Sequence, residues 1–424
     1  MEERKQTRAR WITVAAAFLA FMGIGVVDPI LPVIAESIGA THWQVEMLFT
    51  AYIFTMAVMM IPVGLVVSRV GDKQMMVIGL GLVTIFSLLC GFAADIPQLS
   101  IFRAGWGLGN ATFFATAMTL LIALTPQAST AVGLYEAAIG LGMAGGPLIG
   151  GLLGQHSWRY PFIGTSVLIF IAFLLVAFFV YDPNKGKPKK AVGWQEMRHL
   201  LAFPPFLKGA IGGMLYYYGF FVVLAYSPLV IKLSAIQIGL VFFGWGLCLA
   251  YGSAALAHRL ETKYEPKQIL PYSLLLFAVL LLLLAVAEQT WFMIVLIILS
   301  GLVSGLNNAL FTGYVMETSP YERGVTSGMY NFVRWMGAAI APVLSGVIGH
   351  AVSAKAPFMI AMALSLVAFL FLAWRKREPS ATKTVQKQPL RTKRKHARFS
   401  VRNRRVFIRI IVIISYHHSM MLFS

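Results

Sequence analysis

Twelve runs of mostly apolar residues follow one another along the chain, at about 11–34, 46–68, 74–93, 98–123, 131–154, 160–181, 208–231, 236–258, 268–287, 291–315, 324–350 and 354–374. Each is roughly as long as an α-helix needs to be to cross a bilayer. Backbone N–H and C=O groups in lipid find no water, so a spanning segment must satisfy them internally or within a closed barrel. No alternating ten-residue pattern suggests strands. The fold class that follows is an all-α integral membrane protein with twelve transmembrane helices. A composition of 58% hydrophobic and 12% charged residues agrees with this and excludes an ordinary water-soluble domain. The first run is too long for a signal peptide and has no A-x-A-like cleavage site, so it is expected to stay as a helix.

Loop charges predict the orientation. With the N-terminus inside, sixteen Lys and Arg residues fall in cytoplasmic loops, among them Arg8, Arg69, Lys73, Lys189, Arg259 and Arg323. Only Arg159, Lys232 and Lys355 fall outside. Positive charge stays inside, so both termini are expected in the cytoplasm and the protein in the cell membrane. The formal net charge of +19 is this topology signal plus a basic tail, and it calls for no nucleic-acid partner. Five regions are expected: a cytoplasmic N-terminus 1–10, a six-helix bundle 11–181, a polar Lys-rich cytoplasmic linker 182–207, a second six-helix bundle 208–374, and a basic cytoplasmic tail 375–424. The tail reads as a segment drawn to anionic lipid. Cys90 and Cys248 lie singly in apolar runs and read as small hydrophobes, with no disulfide framework and no metal spacing. Walker, dinucleotide and H-E-x-x-H patterns are missing, so the chain reads as a non-enzyme that uses no cofactor or metal, and ATP is not its energy source.

The two halves echo one another. A shift of 195 residues sets Gly133, Tyr135, Gly142, Pro147 and Gly151 on Gly328, Tyr330, Gly337, Pro342 and Gly346. A shift of 196 sets Gly105 and Gly109 on Gly301 and Gly305. This reads as the internal duplication of a six-helix unit, the mark of a transporter with its binding site between two repeats.

The fifth run contains Gly142-Met143-Ala144-Gly145-Gly146-Pro147-Leu148-Ile149-Gly150-Gly151. As a helix it is poor: each interior Gly costs about 1 kcal/mol relative to Ala and Pro about 3. Pro147 also lacks an amide donor, so a kink is expected there. Gly142, Gly146 and Gly150 share one helix face that is almost free of side chains, on which a second helix can lie close.

These motifs resemble the major facilitator superfamily, in particular its twelve-helix drug:proton antiporters. Gly64 to Lys73, with Arg69 and Gly71, looks like the family's loop signature between helices two and three. Arg103-Ala104-Gly105-Trp106-Gly107-Leu108-Gly109 looks like the helix-four arginine motif. Gly142 to Gly151 matches the helix-five antiporter motif G-x-x-x-G-P-x-x-G-G at every fixed position, and Trp158 to Phe162 resembles the W-R-x-x-F that often follows it. The resemblance covers about 10–375 and implies two pseudo-symmetric six-helix bundles working by alternating access. Two departures put the family's cytoplasmic charge network in doubt here: Ser68 stands where the family usually has Asp, and Ser129-Thr130 where it usually has Arg.

Four charged residues lie well inside the runs: Asp28, Arg103, Glu136 and Arg334. Each costs at least roughly 2.5–3.5 kcal/mol if unpaired at the bilayer centre, so each should face protein or water. At a rise of about 1.5 Å per residue, Asp28 and Arg103 come to similar depth on helices one and four. The resemblance puts both helices along the central cavity. Asp28 is therefore expected to accept the coupling proton with Arg103 as its charge partner; a static ion pair that fixes packing is the alternative. Glu136 is expected near the cytoplasmic end of helix five, as a second proton site, a substrate contact or a gate. Arg334 could contact an anionic part of substrate or pair across the halves. Tyr217, Tyr218 and Phe221 on helix seven, with Asn110, Asn307 and Asn308, are expected to line a site suited to amphipathic, ring-bearing ligands. Three adjacent tyrosines, Tyr216 to Tyr218, cannot all face one way, so one should be packing. The predicted function is a proton-coupled exporter of amphipathic small molecules of the multidrug efflux type, active as a monomer. A dedicated exporter of one natural product, such as an aromatic siderophore, is the nearest alternative; an importer or a non-transporting receptor is further off.

Overall fold

The computed structural model describes residues 2–183, 194–321 and 323–373, and its regular structure there is helical throughout. The tail 375–424 and residues 184–193 of the polar linker lie outside the described residues. Twelve helices are long and apolar enough to cross a membrane: Glu3–Ile38, Trp43–Val67, Asp72–Gly91, Ile96–Ala123, Ala137–Gly154, Tyr160–Phe179, Pro204–Val230, Ala235–Glu261, Pro266–Val286, Thr290–Thr318, Thr326–Ala351 and Ala356–Ala373. They are called spans 1 to 12. A short helix, Trp194–Leu201, precedes span 7. The face of the molecule on which span 1 begins is called the near face, the opposite one the far face.

Turn chemistry fixes where spans meet. Spans 2 and 3 are joined at Gly71, whose φ of 96° and ψ of 155° suit glycine alone. The helix His42–Val70 stops there and Asp72–Gly91 starts at once, so the turn is a single residue. Ser234 and Gln237 form a capping box that starts span 8.

The helix carrying span 5, Ala128–Gly154, is continuous through Pro147. Its bare face lies on span 1: a side chain at Gly142 would begin 2.6 Å from the Phe18 carbonyl oxygen, and those at Gly146 and Gly150 would strike the carbonyls of Met22 and Val26. A second face of the same helix meets span 8. A side chain at Gly151 would begin 2.6 Å from the Ala235 oxygen, and one at Gly239 would begin 2.5 Å from the Pro147 oxygen. Gly246 lies directly on Ala144.

The duplication is visible in these contacts. Gly337 of span 11 lies over the Met214 carbonyl of span 7 as Gly142 of span 5 lies over Phe18 of span 1. The two glycines are 195 residues apart and their partners 196. The second glycine match does not hold in space. Gly105 faces Phe86 of span 3, whereas Gly301 lies on the Trp245 carbonyl of span 8. In span 4 the glycine that takes the equivalent close approach, over the Tyr52 carbonyl of span 2, is Gly107.

Spans 5 and 8, and spans 2 and 11, make the most extensive contacts between the first six spans and the last six. The close approaches of spans 5 and 8 run from Gly151 at the far end to Gly140, which abuts Ala250. Those of spans 2 and 11 include Gly346 against Trp43 and Glu46, and the Thr50 hydroxyl donating to the Ala339 carbonyl at 2.8 Å.

Candidate functional site

Span 1 is broken where its acid stands. The helix Glu2–Gly25 gives way to a 3₁₀ turn, Asp28–Ile30, and a helix resumes over Leu31–Ile38. Pro29 and Pro32 supply no amide hydrogen, so the regular ladder cannot continue across them. The break sits against span 5: a side chain at Gly25 would begin 2.8 Å from Pro147. Asp28 is wholly buried, and neither carboxylate oxygen has a hydrogen-bond partner.

Arg103 lies seven residues into the helix Ile96–Ala123, whose first turn is capped by Asp95 accepting from the Gln98 amide at 2.8 Å. Its side chain is wholly buried and none of its three nitrogens donates a hydrogen bond. The guanidinium instead stacks among rings, 4.4 Å from Tyr52, 4.9 Å from Trp106 and 5.8 Å from Phe49. A desolvated cation over an aromatic face gains about 2 kcal/mol, which offsets part of its burial. Asn110 donates to the Tyr52 hydroxyl and holds that ring in place. Asp28 and Arg103 interact through their charges but form no ion pair. The expected partners are thus brought near each other without being joined.

The second half has a matching cage. The Arg334 guanidinium lies 4.8 Å from the Tyr217 ring, 5.1 Å from Tyr330 and 5.9 Å from Trp335. Trp335 meets Tyr217 and Phe221 edge-on at 5.5 and 5.7 Å. This cluster is half-buried at Arg334, unlike Arg103. Tyr216 is the packing tyrosine: its hydroxyl donates to the Ser304 carbonyl at 2.8 Å and lies 3.1 Å from Asn308 Oδ1, while its ring stacks on Phe311. Asn307 is buried with both amide atoms unbonded. Tyr218 turns toward the far end of the span 2 and span 11 contact, beside Ser345 and Glu46. Glu136 falls on the helix Ala128–Gly154, and Arg69 on His42–Val70; both side chains lie outside the described residues.

Two features escaped the sequence reading. The sequence reading leaves Glu46 at the outer edge of the second run and counts four charges inside the spans. The structure makes Glu46 the fifth residue of its helix and buries it wholly, as it does Asp28, Asp72 and Arg103. The other is a pair of π-helical stretches, Val222–Tyr226 in span 7 and Gly252–Leu256 in span 8. Such insertions cluster at functional sites. The first lies 196 residues after the break in span 1, at Val26 to Ile30, so both repeats are irregular at the same place.

Residues 13–262 and 209–424 each match the family model described as Major Facilitator Superfamily. A multidrug efflux protein of Bacillus subtilis, YfmO, is 38% identical over 369 residues, covering 87% of this chain and 93% of that protein. The quinolone resistance protein NorA of Staphylococcus aureus is 24% identical over 376 residues, covering 86% and 96%. Among solved structures, an inward-facing, occupied bacterial homologue of the human lysosomal transporter Spinster superposes with a TM-score of 0.73 at 14% identity, over 86% of this chain and 95% of that one. The human organic anion transporter MFSD10 superposes with a TM-score of 0.69 at 18% identity, over 87% and 99%. At those identities the likeness is one of fold.

Proposed function

The chain belongs to the major facilitator superfamily, whose members are multi-pass membrane transporters and not enzymes, and from that premise we propose that it exports amphipathic, ring-bearing small molecules in exchange for protons. Its similarity to YfmO and NorA supports efflux as the direction and multidrug export as the type. The observation that carries proton coupling is the Asp28 and Arg103 arrangement: an acid and a cation, both wholly buried, within reach of each other's field and not bonded. A carboxyl group in such a place is the cheapest proton carrier in a membrane interior, since it can be neutral when dry and anionic when its cation approaches or water enters. The break in span 1 lets the backbone around Asp28 move without unwinding a regular helix.

In this reading the halves 11–181 and 208–374 rock about the span 5 and span 8 contact, giving alternating access as a monomer in the cell membrane with both termini in the cytoplasm. The near face is then cytoplasmic, and contacts between halves toward the far face correspond to an inward-open state. The Arg334 cage, with Tyr217, Phe221 and Trp335, offers rings and one positive charge to substrate. Glu136 takes a secondary part in proton traffic at the near end.

Everted membrane vesicles test this with a panel of amphipathic aromatic dyes. An inside-acid gradient should drive dye accumulation, and Asp28→Asn should reduce it to the level of vesicles without the protein while membrane insertion is unchanged. Accumulation that ignores the gradient, or survives Asp28→Asn undiminished, overturns the reading.

A further inference from the structure

Glu46 is a wholly buried acid that the coupling scheme above does not use. It lies where span 2 of the first half meets span 11 of the second, with its Oε2 2.8 Å from where a side chain at Gly346 would begin. A side chain at that position would displace the carboxyl group and would also begin 3.0 Å from the Trp43 Cα. Span 7 contributes Tyr218 and Tyr226, both within its field, and span 11 contributes Ser345 and the Gly346 backbone. Arg103 of span 4 engages Phe49 and Tyr52, on another face of the same helix, and Glu36 on the neighbouring Leu31–Ile38 helix is exposed. His350, one turn beyond Gly346 on span 11, is exposed. Among the described residues none puts a cation on Glu46, and the Gly346 backbone amide approaches its carboxyl group without making a well-formed hydrogen bond. Thr50, one turn on, points to the same partner helix.

An ionised carboxylate enclosed without a cation or water is among the most costly groups a protein can bury. The closed contact between spans 2 and 11 therefore accommodates the neutral acid and resists the anion. Separating the two helices at the far face would expose the group to water, where the anion is comfortable. We propose that Glu46 is a proton-operated latch between the two halves: protonated, it lets spans 2 and 11 close at the far face; giving its proton to far-side water, it holds them apart. The proposal rests on the reading of a proton-coupled transporter, but the latch would act on the empty protein, before any substrate is bound.

Spin labels at His156 and Gln289, two exposed far-face residues in opposite halves, report the opening. They are placed in the full chain with Cys90 and Cys248 replaced by alanine, and distances are measured without substrate or gradient. Between about pH 5.5 and about pH 8.5, the ratio of long to short distances should rise with pH, by up to ~tenfold per unit for a one-proton latch. Glu46→Gln should keep the short distance at every pH. Thr50→Val, which loses a polar contact that does not titrate, should shift the ratio by one factor at all pH values. A Glu46→Gln protein with the wild-type pH slope, or a wild type with no slope, overturns the proposal. Because no transport is measured, these outcomes are distinct from failure of the export reading.

Discussion

The two contacts that join the halves are built from opposite materials. Spans 5 and 8 meet through Gly140, Ala144, Gly151, Gly239 and Gly246, with backbone against backbone at these close approaches. Spans 2 and 11 meet through Thr50 and Glu46, each directed at the backbone of span 11. Those close approaches involve no titratable side chain, so their strength is set by shape. The second depends on one hydrogen bond and on the state of one acid. A transporter that used only the first kind would rock without regard to pH; one that used only the second would lack a rigid axis.

That contrast can be broken in order of expected effect. Gly239→Leu drives a side chain into the Pro147 carbonyl and should be the most damaging. Overpacking of this kind costs about 1–3 kcal/mol or more. Dye efflux, normalised to protein in the membrane, should fall ~10- to 100-fold at every pH, and efflux within twofold of wild type would show that shape is not what holds the halves. Thr50→Val removes a hydrogen bond of net worth about 0.5–1.5 kcal/mol. The far-face label distance should then shift its populations roughly two- to tenfold toward open; no shift would make that bond incidental. Gly64→Ala is the mildest. Gly64 lies on the near half of span 2 with nothing within 4 Å of where a side chain would begin. Alanine there should be neutral or stabilising by up to ~1 kcal/mol in thermal unfolding of the solubilised protein. A destabilised protein would mean that the near half of span 2 is held as tightly as the far half.

Much of this was legible in the sequence, for reasons that can be named. The spans were plain because lipid demands about 20 apolar residues in a row whatever their packing. Asp28 and Arg103 stood out as lone charges in apolar runs. Gly142, Gly146 and Gly150 marked a bare face because helical periodicity fixes which residues share a side. What the sequence hid was direction and partnership. Glu46 is the fifth residue of its helix, beside His42 and Gln44, where it is indistinguishable from a loop residue. Its burial comes from Gly346, 300 positions away. The Gly105 and Gly301 match failed because similar spacing does not fix the rotation of a helix about its axis, and Gly107 was the glycine turned toward span 2. The π stretch Val222–Tyr226 contains no Pro or Gly to announce it. The Asp28 and Arg103 depths agreed, but depth says nothing of the rings that surround the arginine.

Span 5 touches span 1 on one side and span 8 on the other, and its closest approaches to both are through glycine and backbone. Such a surface has no rotamers to reset and few ridges to climb. Its close approaches to span 8 are glycine against backbone, so turning about them breaks no side-chain hydrogen bond at those points. In mechanical terms it is a plain bearing of low friction, loaded from both sides, and its smoothness leaves to the few polar residues elsewhere the choice of where the motion stops.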